Sequence, residues 1–130
     1  MRAGVLAFLA VMVSVSAAGC GGLSEASTQA CSEGKASAAH AKGIVDNGPP
    51  ELMVMVAKSK SPDFQELAAK ADDDDVRSAL TELSKTFAEF KPDLSKVPTA
   101  LRSDPEFTRY VNDFKAAVGD RAAKLGTACS

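Results

Sequence analysis

The 130 residues carry 17 acidic and 15 basic side chains and one histidine, a formal net charge of −2. With no Lys/Arg cluster in the chain, that balance argues against a nucleic-acid binder, which neutralises phosphates with grouped cations, and against a polybasic binder of lipid headgroups. Aromatic residues make up 5% of the chain, with no Trp and one Tyr, so helices with small packing residues are expected rather than a sheet of alternating β-branched and aromatic side chains.

In chain order, Arg2 is a short positive region and Ala3 to Val15 an uncharged apolar run with Val5, Leu6, Phe8, Leu9, Val11, Met12 and Val13. The run is shorter than the roughly 20 residues that span a bilayer and is followed by small residues, so residues 1–19 are predicted to be a removable export signal. The stretch Ser16-Ala17-Ala18-Gly19-Cys20 resembles the lipobox of bacterial lipoproteins. The resemblance implies that Cys20 receives a diacylglycerol thioether, is further acylated by a chain such as palmitate and becomes the mature N-terminus. Ala17 stands where that pattern more often has Leu, and Ser16-Ala17-Ala18 also suits an ordinary signal peptidase, so soluble secretion is the competing reading. Three cysteines, Cys20, Cys31 and Cys129, bear on the choice. A lipidated Cys20 leaves Cys31 and Cys129 to pair in a disulfide-permissive compartment, whereas simple secretion strands one thiol.

Residues 20–23 are then a lipidated N-terminus and tether, and residues 24–130 one helical domain with a formal charge of −3, since all charged residues but Arg2 lie beyond residue 19. Ser24 is a plausible N-cap of a first helix running to Asn47, where Asn47-Gly48 predicts a left-handed stop and Pro49-Pro50 forbids continuation. Cys31, Gly34, Ala38, Ala41 and Val45 form a small-residue stripe on it. Pro50 opens a second helix whose Leu52 to Ala57 segment is apolar nearly all round and expected in the core. Ser61-Pro62-Asp63 reads as the cap and first turn of a short further element, or as a kink. Asp72 to Asp75 precedes Val76, Leu80, Leu83, Phe87 and Phe90, whose 4, 3, 4, 3 spacing marks one face of an amphipathic helix. Pro92 and Pro98 bound a connector. Ser103 and Glu106 fit a capping box for a last helix carrying Phe107, Val111, Phe114, Val118, Arg121 and Leu125, expected to end near Gly126. The fold class is all-α: a bundle of four main helices plus a short or kinked extra one. Cys31 and Cys129, each extending an apolar stripe, would join its two chain ends, which sets the first and last helices side by side and antiparallel.

Little in the chain points to chemistry. His40, the single histidine, lies among alanines with no nucleophile near it in sequence. The Asp72 to Asp75 run fails the calcium-loop pattern, because Val76, Arg77 and Leu83 fall at ligand and glycine positions, and it suits a helix start. Met53 and Met55 lie about 200° apart on a helix, which is wrong for a shared copper ion. No enzyme activity, cofactor or metal is expected. With Cys20, Cys31, Cys129 and the helix from Asp75 to Leu80, the mature chain resembles the small alanine-rich helical lipoproteins exported by actinobacteria, including mycobacteria. That resemblance implies an address at the extracytoplasmic face of the cell membrane and transfers no active site. The expected function is non-enzymatic binding of another envelope protein. The alternative is carriage of a small apolar or lipid ligand between helices, in a cavity drawn from Leu52 to Ala57, Phe87, Phe90, Phe107 and Phe114.

Overall fold

A computed structural model describes residues 22–96 and 103–130, so Cys20, the export signal and Pro98 lie outside the described residues. Four helices, α1 (Glu25–Asn47), α2 (Pro50–Lys70), α3 (Asp74–Glu89) and α4 (Pro105–Ala128), are joined by two tight turns and a longer connector with one 3-10 turn at Leu94–Lys96. Each helix packs on the next and α4 returns against α1, which is the closed up-and-down bundle that short connections favour. Among the described residues there is no strand, and no helix is long and apolar enough to cross a membrane.

The sequence patterns account for most of this. The side chains of Val76, Leu80, Leu83, Phe87 and Phe90 are all buried, as their spacing predicts. On α1 the small stripe of Cys31, Gly34, Ala38, Ala41 and Val45 is buried too, and a Cβ at Gly34 would stand 2.8 Å from Leu80 Cδ2 and 3.2 Å from Leu125 Cδ2. The lack of a side chain there lets α3 and α4 close onto α1. Cys31 and Cys129 form the predicted disulfide, with their Cα atoms 5.8 Å apart, so the start of α1 and the end of α4 lie together.

Several local expectations are corrected. Gly48 is extended (φ −91°, ψ 163°), not left-handed. Its N–H reaches the Ile44 carbonyl at 2.6 Å, and a Cβ there would meet that same oxygen, so glycine is needed for close approach rather than for turn geometry. Of the two readings of Pro62, the continuation stands and the separate short helix does not: Pro62 lies inside the continuous helix α2. Ser61 is an interior residue of α2 and not a cap; its hydroxyl donates to the Ser84 carbonyl (3.0 Å) while Ser84 Oγ donates to the Ser61 carbonyl (2.7 Å). The cap of α4 is Asp104, whose carboxylate accepts from the Glu106 N–H at 3.1 Å, because Pro105 takes the first helical position and fixes the cap one residue later than Ser103. The last helix ends at Ala128, near Gly126 as expected, and the Cys129 N–H continues the ladder to the Leu125 carbonyl. Leu52 to Ala57 is not buried all round: Met53, Val56 and Ala57 are, but Leu52 and Met55 are 39% and 65% exposed.

Candidate functional site

At one end of the bundle, α3 stops well short of α4. Its sixteen residues end at Glu89, whereas α2 has 21 and α4 24. The chain leaves α3 through Phe90, Lys91 and Pro92, and opens a cleft of about 490 Å³ between α2 and the last turn of α3. Val54, Ala57, Lys58 and Ser61 line it from α2 at helical spacing, with Pro62 beside them; Phe87, Ala88, Phe90, Lys91 and Pro92 form the other wall. This volume lies within the roughly 300–1,000 Å³ of small-molecule sites.

The wall beneath the cleft is aromatic. Phe87 stacks on Phe64 with ring centroids 5.6 Å apart and meets Phe114 edge-on at 5.8 Å. Phe90 stacks on Phe114 at 3.9 Å and on Tyr110 at 5.5 Å. Such pairs add about 0.5–1.5 kcal/mol each beyond area burial, which holds the aromatic wall in place. Two further devices hold its rims. The reciprocal Ser61–Ser84 hydrogen bonds fix α2 against α3 at the proline, and the Tyr110 hydroxyl accepts the Lys91 N–H at 3.3 Å and reaches the Glu89 carbonyl at 3.5 Å. Because residue 62 has no N–H, the ladder bond to the Lys58 carbonyl cannot form. Lys58 and Lys91 are exposed at the rim, and among the described residues neither ammonium makes an ion pair.

The opposite end carries the disulfide and a polar clasp. Asp72 Oδ1 accepts the hydroxyls of Ser24 (2.5 Å) and Ser27 (2.6 Å), and those bonds, Ser24's first, hold its carboxyl below the usual carboxylate range. Asp73 caps α3 by accepting the Val76 N–H at 3.0 Å, with Asp74 and Asp75 in the first turn. The acidic run is therefore a helix start tied to the start of α1. Among the described residues no three His, Cys, Asp or Glu side chains gather into a group that could hold a metal, and His40 is exposed on α1. Gly22 and Leu23 lie at a shallow depression of about 690 Å³ beside Cys31 and Cys129. Cys20 itself lies outside the described residues.

Of the residues the sequence nominated for a cavity, the structure brings together Val54, Ala57, Phe87 and Phe90. Phe114 lies under Phe90 and lines a different, more polar depression with Tyr110, Asp113 and Arg121. Leu52 and Phe107 do not line the cleft. Lys58, Pro62 and Lys91 lie outside that set; the sequence signal for Lys58 and Pro62 is their spacing from Val54, four and eight residues on.

A family model described as "Domain of unknown function (DUF8711)" matches residues 26–130. The chain belongs to the DUF8711 family. The match spans nearly all of α1 and the whole of α2, α3 and α4, both bonded cysteines and every residue of the cleft, while Cys20 lies before it. No curated protein and no solved structure matches the chain.

Proposed function

We propose that the protein is an exported lipoprotein, anchored through Cys20 at the extracytoplasmic face of the cell membrane, whose DUF8711 domain works without chemistry by holding a small ligand in the α2–α3 cleft. The cleft is the observation that carries the reading: it is apolar on its walls and polar at its rim. Cys20 stands two positions before Gly22, at most roughly 7 Å of extended chain, so an anchored domain would sit with its disulfide end toward the bilayer. The cleft residues of α2 lie 8 to 16 positions before Lys70, about 12–24 Å from that end at 1.5 Å per residue. Its mouth would face the aqueous side of the membrane.

A protein partner is the second reading, favoured by Met55 and Leu52 on the outer face of α2. Leu52, Met55 and Tyr110 are the large apolar side chains most exposed among the described residues, a thin basis for an interface that usually buries about 800 Å² per partner. Native mass spectrometry of protein purified from its own membranes separates the two. A co-isolating small molecule that is lost in Ala88→Trp, which fills the cleft, supports the carrier. An empty wild-type domain that instead retains a protein partner dependent on Met55 contradicts it.

A further inference from the structure

We infer that the ligand of the α2–α3 cleft is a single-chain amphiphilic anion, its carboxylate or phosphate head held between Lys58 and Lys91 and its apolar body laid against Ala57, Phe87 and Phe90. The inference rests on the cleft being the binding site.

Charge complementarity carries it. In a chain where acidic residues outnumber basic ones 17 to 15, the cleft is lined by two lysines and no carboxylate. Two other depressions differ: one mixes Glu33, Asp63 and Glu66 with Lys70, and the other sets Glu89 and Asp113 against Arg121. Among the described residues Lys58 and Lys91 have no carboxylate partner, as is also true of Lys35, Lys60, Lys85 and Lys115; what sets these two apart is that they line one cleft together.

One effect opposes an anion. The last turn of α3 presents the negative end of its dipole at Phe87 and Ala88, equivalent to about half an elementary charge. Against that half charge stand the two full ammonium charges of Lys58 and Lys91, which line the same cleft. Lysine suits the task, because a flexible stem brings a compact charge to a head group without demanding a planar fork. The apolar walls would take a hydrocarbon body, and a volume of about 490 Å³, at the smaller end of the small-molecule range, fits one chain rather than the two of a bilayer phospholipid.

The test uses the full chain with Cys20→Ala, which should be released by ordinary signal peptidase and purified without detergent. Backbone amide spectra are titrated with dodecanoate, dodecyl phosphate and dodecanol below their micelle concentrations. Both anions are expected to shift the amides of Ala57, Ala88 and Phe90 and to bind at least about tenfold more tightly than the alcohol. Lys58→Gln with Lys91→Gln should erase that preference and leave dodecanol affinity unchanged; Ala88→Trp should abolish binding of all three. Equal affinity for anion and alcohol, with shifts still at the cleft, overturns the anionic head and leaves the cleft as the site. If no probe shifts the cleft amides, both the inference and the reading beneath it fail. Binding of dodecyl phosphate alone retains the anion and identifies a phosphate source; binding of dodecanoate alone identifies a fatty acid.

Discussion

The hydroxyl of Ser27 donates to the Asp72 carboxylate at 2.6 Å and accepts the backbone N–H groups of Asp72 and Asp73 at 3.1 and 2.9 Å. This one buried side chain joins the start of α1 to the start of α3 across 45 residues. Its oxygen serves as acceptor for two backbone donors in the α2–α3 turn, the groups a tight turn otherwise leaves unmet. Ser27→Ala removes that acceptor without a large cavity, and unmet buried donors cost about 1–3 kcal/mol. The midpoint of urea unfolding should fall accordingly; an unchanged midpoint would mean water replaces the hydroxyl at no cost.

Asp72 makes the clasp sensitive to acid. Its carboxyl is held below its ordinary value, first by the Ser24 hydroxyl and then by that of Ser27. A depressed folded-state pKa means that the stabilisation is fully present above the unfolded value of roughly 3.9 and is lost as pH falls through that value toward the folded one. Wild type should therefore lose Tm more steeply than Asp72→Asn between about pH 5 and pH 2. Parallel acid limbs in the two proteins would contradict the assignment.

The disulfide closes a loop of 98 residues. In the chain-entropy picture a loop of about 100 residues contributes up to about 4.7 kcal/mol, usually reduced in practice. Cys31→Ser with Cys129→Ser should lower Tm by an amount on the order of 10 °C while the far-ultraviolet helical signal at low temperature persists. A Tm within a degree or two of wild type would show that the seam between α1 and α4 holds without the bond.

Two glycines on α1 should respond in opposite ways to alanine. At Gly43 a Cβ meets nothing within 4 Å, so Gly43→Ala gains helix propensity and stabilises by about 0.5–1 kcal/mol. At Gly34 the same propensity gain is set against a 2.8 Å contact with Leu80 Cδ2. Leu80 and Leu125 are both fully buried, so neither yields freely, and overpacking costs about 1–3 kcal/mol. Gly34→Ala should be neutral or destabilising. Thermal melts of the two variants check the contrast, and an equal rise in both would mean that the seam is looser than the structure describes.

What the sequence made legible was whatever a single helix encodes by itself. The stripe from Val76 to Phe90 is a 3.6-residue period written in large apolar side chains, and the small stripe from Cys31 to Val45 is the same signal in small ones. Features decided by a distant partner were hidden. Ser61-Pro62-Asp63 has the local form of a helix start, but Ser84, 23 residues on, takes the Ser61 hydroxyl, and the surrounding packing carries α2 through the proline. Leu52 and Met55 look like core, yet α2 buries only the side that faces α1 and α3. The cleft was half legible: its apolar residues were nominated, while Lys58 and Lys91 come together at its rim only because α3 ends at Glu89 and the chain turns through Phe90.

The proposed orientation of the cleft requires anchoring through Cys20, and a disulfide-permissive compartment for Cys31 and Cys129 requires export. Intact-mass spectrometry of the protein isolated from its native host, without reductant, tests that most directly. The expected species is a chain that starts at Cys20, carries diacylglycerol mass on that residue, and is lighter by two hydrogens for the Cys31–Cys129 bond. A chain that keeps residues 1–19, or that carries no acyl mass and three free thiols, would contradict it.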